Sequence, residues 1–219
     1  MTRLEPTRTS VQYAVRKPLV EWLRAQDVAG ARVLDVGCGD RPYAGLFPGA
    51  LGFDVPGNPH ADLHGSLEAI PVDDASFDVV LCLQVLEHVD DPAAAVRELH
   101  RVVRPDGRVL LSTHGVYPFH PNPADLWRWT HQGLELLFLT NAEWTSVSVR
   151  PGAGTAATLA MTNAHLIDLF CKRLRVRALA TPVVAALNAA GEALDGAIPL
   201  LRSTAPGTLH ANYHVEAVR

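Results

Sequence analysis

The chain has only three cysteines, Cys38, Cys82 and Cys171, and none is paired at the short spacing of a zinc site or a disulfide framework. That scarcity argues against a disulfide-stapled secreted fold and reads as reduced thiols in a cytoplasmic protein. A long apolar run is also missing. The uncharged, Ala- and Leu-rich stretch from Ala178 to Gly191 meets Glu192 and Asp195 well short of the ~20 residues a spanning helix needs. The opening residues, MTRLEPTRTS, contain no apolar segment followed by a small-residue cleavage site, so no secretory leader is expected. Positive charge is not in excess: 19 Lys and Arg stand against 23 Asp and Glu, a formal charge of −4, which argues against a broad nucleic-acid footprint. With 48% hydrophobic residues in 219, the chain is too apolar for disorder and long enough to bury a core. A small, mildly acidic enzyme is the plain expectation.

What is present is a rhythm of short apolar runs and helical stretches. Val11, Val15, Leu19, Trp22 and Leu23 recur at helical spacing over residues 10–27, where Pro18 is expected to bend or interrupt the helix. ARVLDV (31–36), ALGFDV (50–55), FDVVLCL (77–83) and RVLLST (108–113) show little alternation, the pattern of strands covered on both faces of a parallel sheet. Between the last two lies a crossover helix in DPAAAVRELHRVVRPDG (91–107), with Asp91 as cap, Pro92 at the first helical position and Pro105-Asp106-Gly107 as the turn that stops it. A helix over 130–141 capped by Thr130 and an alternating strand, EWTSVSVR (143–150), follow. Residues 154–203 read as two or three helices broken at Pro182 and Pro199, before NYHVEAV (212–218) closes the chain as a strand. The expected fold is a doubly wound α/β sheet. The domain reading is a leading helix in 1–29, a main unit over 30–153 and 204–219, and a helical insertion at 154–203.

The stretch VLDVGCGDRPY (33–43) is the first candidate site. Gly37 and Gly39 let a ligand approach the backbone where a strand gives way to the next segment. A dinucleotide loop would continue G-x-x-G, and Arg41-Pro42 stands there instead, so a pyrophosphate cradle and an NAD-dependent oxidoreductase are poorly supported. Asp54 lies 17 residues beyond Gly37 at the end of the next strand, where a carboxylate suits two vicinal ribose hydroxyls or, as the plainer alternative, a turn before Pro56-Gly57.

VLDVGCGDRPY, GFDV, LEAIPVDDASFDVVLCLQVLEHVDDP and ELHRVVRPDGRVLLST, in this order, closely resemble the class I S-adenosylmethionine-dependent methyltransferases, in the small-molecule branch with an LEH turn. The resemblance covers residues 30–150 and implies a Rossmann-like sheet of about seven strands, mostly parallel with the last antiparallel. It implies that Asp35, Gly37, Cys38 and Gly39 wrap the methionine end of S-adenosylmethionine and that Asp54, with Val55 beside it, holds the ribose. Ser66 stands where the family usually has an acid toward adenine, leaving Ser66, the Leu67 backbone and nearby Glu68 as contacts. Leu83 and Gln84 match the wall beside the methionine portion.

The loop in LLSTHGVYPFHPNPADLWRWT (110–130) is the expected acceptor side. Its YPFHPNPADLWRWT segment is similar to a Y-P-x-H … D-x-x-R-x-T pattern in a methyltransferase branch found beside sugar and polysaccharide genes, with His120, Asp125, Arg128 and Thr130 at matching positions. Methyl transfer is an in-line displacement in which the acceptor sheds a proton, and histidine suits that task. His120 is the first candidate base and His88 and His114 are reserves; each also has a plain reading as a packed or turn-forming residue, and proximity alone suffices for many such enzymes. Tyr117, His120, Asp125, Trp127 and Arg128 are candidate substrate contacts. Asp125 and Arg128 have the spacing to pair on a helical turn, to orient a polar substrate, to close the loop as a lid, or as a structural salt bridge. Trp127 and Trp129 would then face opposite ways, one toward the pocket. No metal is expected, because the fourth strand ends in Leu83-Gln84 and the fifth in Thr113-His114, and Asp73, Asp74 and Asp78 solvate a turn.

The insertion carries Lys172, Arg173, Arg175 and Arg177 beside an apolar helix. It reads as a cover over the site or sheet edge, as a homodimer interface, or as a membrane-surface anchor. Two function classes stand: an enzyme methylating an O or N of a small polar acceptor such as a sugar or secondary metabolite, and a non-catalytic module that keeps the fold.

Overall fold

The structure, a computed structural model, describes residues 4–121 and 124–219. Seven strands form one sheet: β1 (Val33–Val36), β2 (Leu51–Asp54), β3 (Leu63–His64), β4 (Phe77–Leu83), β5 (Val103–His114), β6 (Ser146–Pro151) and β7 (Asn212–Val218). Their order is β3-β2-β1-β4-β5-β7-β6. β1 to β5 pair in parallel, while β7 runs antiparallel to both β5 and β6. This is the expected Rossmann-like sheet. Only β3 has no counterpart in the sequence reading, because two residues carry no readable pattern.

The run-like strands are apolar throughout because the sheet is buried on both sides. Val80 and Cys82 of β4 enter one core cluster, and Val79, Leu81 and Leu83 enter the other. The first cluster holds residues of α2 (Pro92–Val102) and α3 (His131–Asn141), and the second is closed by Leu19, Val20, Trp22 and Leu23 of α1 (Tyr13–Arg24). Asp91 Oδ1 accepts from Ala93 N and Ala94 N at 3.0 Å each, and Thr130 Oγ1 accepts from Gly133 N at 3.1 Å, so both expected caps are made.

Three boundaries differ from the sequence reading. α1 continues through Pro18: one backbone bond is lost, but Leu19, Val20 and Leu23 beyond it are almost wholly buried and hold the helix. α2 ends at Val102 rather than at the Pro105 turn, because Val103 already pairs with Phe77; a register shift follows, with Asp106 at φ +61°. In the insertion, α4 (Thr155–Arg173) and α5 (Arg177–Ala197) form a helical hairpin, and Pro182 does not break α5. A short 3-10 turn over Pro199–Arg202 leads back toward β7.

The hairpin is fastened at its near end. Asn188 Nδ2 donates to the carbonyls of Arg8 and Ser10 at 2.7 and 2.9 Å, while Glu192 accepts from the Tyr13 hydroxyl at 3.0 Å and pairs with Arg8 and Lys17. No helix among the described residues is long and apolar enough to cross a membrane.

Candidate active site

The parallel strands β1, β2, β4 and β5 end along one edge, and the expected cofactor residues gather there. Gly37 takes φ +67°, and a Cβ on it would stand 2.3 Å from Val85 Cγ2, so no other residue fits. Gly37 N and Cys38 N both donate to the Phe53 carbonyl, at 2.8 and 3.1 Å, which folds the loop over the end of β2. Gly39, at φ +54°, faces open space. Arg41 turns away from the edge: its guanidinium donates to Asp62 Oδ2 at 3.1 Å and to the Ala50 carbonyl, tying the loop to β2. Asp40 and Pro42, on either side of it, line a cavity.

Asp54 is half-buried and anchors the same loop. Its Oδ2 accepts from Gly39 N at 2.9 Å and Asn58 Nδ2 at 2.6 Å, and its Oδ1 accepts from Val55 N at 2.7 Å. The Cys38 thiol also faces Oδ2, at 4.0 Å, while Oδ1 has a second lone pair beyond the Val55 bond for a ligand hydroxyl. Asp35 is buried under the loop, and burial pushes its carboxyl up to about 7; burial likewise pushes the Cys38 thiol up to about 11, so it is no nucleophile. Ser66 is exposed and donates to Glu68, Leu67 is buried, and Val55 is exposed.

The cavity measures about 250 Å³ and joins the loop to the acceptor side. Leu83 and Gln84 line it together with Glu87, His88, His114, Tyr117 and His120. Gln84 takes φ +60° at the end of β4, a strained position for a non-glycine residue. Its side-chain amide donates to Ser112 Oγ, and its buried Oε1 has no partner. His120 has its ring centroid 6.0 Å from that of His88 and 6.4 Å from that of His114. His114 stacks on Tyr117 with centroids 3.8 Å apart. The His88 Nδ1 meets the Ala124 carbonyl, which can only accept, so the proton sits on Nδ1 and the lone pair on Nε2. Burial lowers the His88 pKa, favouring the neutral ring that can take a proton.

Glu87 is the residue the sequence reading passed over as part of a turn. It is fully buried, accepts from Thr113 Oγ1 at 2.8 Å, and brings Oε1 to 3.0 Å from His114 Nδ1. Neither of those last two atoms has an aligned hydrogen bond despite their contact. Burial raises the Glu87 carboxyl to about 7 and holds His114 down at about 3. Gln12, Arg16 and Tyr43 also line the cavity, brought in by α1 and the stretch after the glycine loop; their local sequence carries no signal for this.

Three expected substrate contacts do not line the cavity. Asp125 and Arg128 do pair, but as a clamp on the loop itself: Asp125 Oδ2 accepts from His120 N at 2.7 Å, and Arg128 donates to the carbonyls of Tyr117 and Pro118 at 3.2 and 3.3 Å. Trp127 donates from Nε1 to the Val89 carbonyl at 2.8 Å and stacks on Trp129 with centroids 5.7 Å apart. Residues 124–130 form no helix, the amides of Leu126 and Trp127 both turn to the Glu87 carbonyl, and neither tryptophan lines the cavity.

A protein-family model described as a methyltransferase domain matches residues 8–144, more than half of the chain. The chain belongs to that family. Among curated relatives of this methyltransferase, the ubiquinone biosynthesis O-methyltransferase of Pseudomonas aeruginosa (strain LESB58) is 37% identical over 114 residues, 43% of this chain and 49% of the relative. The chain spans about half the length of the curated relatives it matches. Among solved structures, the phosphoethanolamine N-methyltransferase 2 of Haemonchus contortus, in complex with S-adenosyl-L-methionine, superposes with a TM-score of 0.57 at 15% identity, over 94% of this chain and 53% of that one. The cyclase SpnF gives a TM-score of 0.54 at 18% identity, over 99% of this chain and 86% of that one. At such identities the likeness shows the fold, which is that of the class I methyltransferases.

Proposed function

We propose that this methyltransferase moves a methyl group from S-adenosylmethionine to a hydroxyl oxygen of a small polar acceptor, of the sugar or secondary-metabolite kind, in the cytoplasm. The observation that carries the reading is the single cavity shared by the glycine-loop residues Asp40 and Pro42, the strand-end pair Leu83 and Gln84, and the imidazoles of His88, His114 and His120. The residues present fit the cofactor. The loop has no phosphate-binding continuation, Gly39 leaves open space, and the unpaired Gln84 Oε1 asks for a donor such as the ammonium of an amino acid. When bound, S-adenosylmethionine supplies a methyl carbon activated by its sulfonium.

The rest falls to the chain's own side chains. Asp35, Gly37, Cys38 and Gly39 shape the space for the methionine end, Asp54 beside Val55 takes the ribose hydroxyls, and Ser66, Leu67 and Glu68 border adenine. His120 is the residue we assign as base, with His88 Nε2 as its alternative; Glu87 lies against His114, and Tyr117 walls the pocket. Asp125, Trp127 and Arg128 hold the loop that carries His120. An amine attacks with its own lone pair, whereas a hydroxyl gains from a base that removes its proton, so a pocket of imidazoles favours oxygen. The Pseudomonas relative, an O-methyltransferase by name, supports the same atom. We read 30–153 with 204–219 as the catalytic unit and 154–203 as its insertion.

Titration calorimetry with S-adenosylhomocysteine tests the cofactor site, and saturable binding is expected. No binding at millimolar ligand would sink the enzyme reading. A second reading, a binding module without turnover, draws on Ser66 in place of the usual acid. It predicts binding in calorimetry with no methylated product from any member of a hydroxylated acceptor panel read by mass.

A further inference from the structure

Methyl transfer leaves the far end of the α4–α5 hairpin without a use. From Leu169 to Gly191 the chain holds four cations, Lys172, Arg173, Arg175 and Arg177, and no acid, in a protein whose net charge is −4. The same end exposes large apolar side chains: Leu169 is 63% exposed, Phe170 58%, Leu174 70% and Leu179 65%. Asp168 pairs with Lys172 within α4, while Arg173 and Arg175 stand exposed at the turn between the helices.

This end stands off the body of the molecule. The contacts that fasten the hairpin come from its other end: the His165 ring against Tyr117, Asn188 on the Arg8 and Ser10 carbonyls, and Glu192 on α1. Eight residues of α4 follow His165, about 12 Å of helix at 1.5 Å per residue. Four exposed apolar side chains around such a tip are too many to be incidental, since large residues of this kind normally mark an interaction surface when they cluster.

We propose that the hairpin tip is a docking surface for an anionic lipid bilayer, with Phe170 and Leu174 entering the headgroup boundary and Arg173 and Arg175 meeting the lipid phosphates. Charge complementarity decides between this occupant and a second copy of the chain. A two-fold contact is self-complementary, so joining two tips would gather the basic side chains of both copies, with no acid between Leu169 and Gly191 to meet them. An anionic leaflet supplies the opposite charge across the whole tip, and apolar burial plus basic residues is the combination that holds a helix at an interface. Neither helix spans the bilayer.

Sedimentation of the full chain with vesicles tests this independently of the methyl-transfer reading. Vesicles of phosphatidylglycerol and phosphatidylcholine in equal parts are expected to carry the protein down, and phosphatidylcholine alone to leave most of it in solution. Binding should weaken at roughly 1 M salt, where the screening length falls to about 3 Å. Arg173→Gln with Arg175→Gln should weaken partition about thirtyfold, and Phe170→Ser with Leu174→Ser at least about tenfold. All four side chains are exposed, and an unchanged circular dichroism spectrum confirms the fold. Absence of the protein from the anionic pellet overturns the proposal. So does equal partition of the variants, or a dimer in solution that the Phe170→Ser, Leu174→Ser pair disperses while vesicles bind nothing.

Discussion

Glu87 has no solvent exposure, yet its Oε1 lies against His114 on the wall of a cavity, and that placement has a consequence for stability against pH. Folding moves the glutamate up from 4.5 to about 7 and the histidine down from 6.5 to about 3. Between 4.5 and 6.5 the unfolded chain holds one proton on the histidine and the folded pair holds one on the glutamate, so the pair adds no slope. Glu87→Gln removes the folded-state proton only. The unfolded state then binds the extra proton, and the variant should lose stability on acidification from 6.5 to 4.5 more steeply than the parent in urea titrations. Parallel profiles would mean that His114 is charged in the native state. Asp54→Ala removes a charged acceptor worth roughly 1.5–3 kcal/mol. Affinity for S-adenosylhomocysteine should fall about ten- to hundredfold by calorimetry, and unchanged affinity would place the ribose elsewhere. His120→Ala should cut turnover about a hundredfold or more while leaving cofactor affinity alone. Parent-like turnover would remove His120 as base.

At the scale of elements, the helix starts divide by where their caps come from. α2 and α3 are capped by Asp91 and Thr130, their own preceding residues, and both are legible in the chain. α4 is preceded by Gly154, which offers no side-chain cap; Asp195 of α5 accepts from Ala156 N and Ala157 N at 2.9 and 3.1 Å instead. Gly154 leaves room for that carboxylate, since a Cβ there would lie 2.4 Å from Asp195 Cγ. Asp195→Ala should cost about 1 kcal/mol and speed amide hydrogen exchange in the first turn of α4 before that of α2. Uniform exchange would show the cap to be dispensable. The same distinction explains the tryptophans: a helical turn over 124–130 is a fair local reading, but Leu126 N and Trp127 N donate to the distant Glu87 carbonyl and no helical turn forms there.

For the whole molecule, the site is a seam between strand ends and a leading helix rather than a property of any one element. Residues of α1, the loop after β1, the end of β4 and the loop after β5 meet only in the folded sheet, so a ligand that fills the seam ties these parts together. Saturating S-adenosylhomocysteine should therefore raise the melting temperature, with about 2.7 kcal/mol of added stability when ligand exceeds its Kd by about a hundredfold. An unshifted melt at a concentration that saturates calorimetry would place binding outside this seam.

By itself the sequence determined the strands, most helices, the glycine loop and its acid, because each depends on neighbours close along the chain: apolar runs, caps, and a φ that only glycine takes without strain. It also placed His88, His114 and His120 in the loops at the strand ends, where they line one cavity. The tertiary structure alone decided that these three converge, that Asp125 and Arg128 clamp their loop instead of facing the pocket, and that Glu87 stands buried behind His114. It decided too that Arg41, where the glycine pattern breaks, braces the loop against Asp62 and Ala50. Such contacts join segments far apart in the chain, and their energies come from burial and alignment that exist only once the sheet has formed.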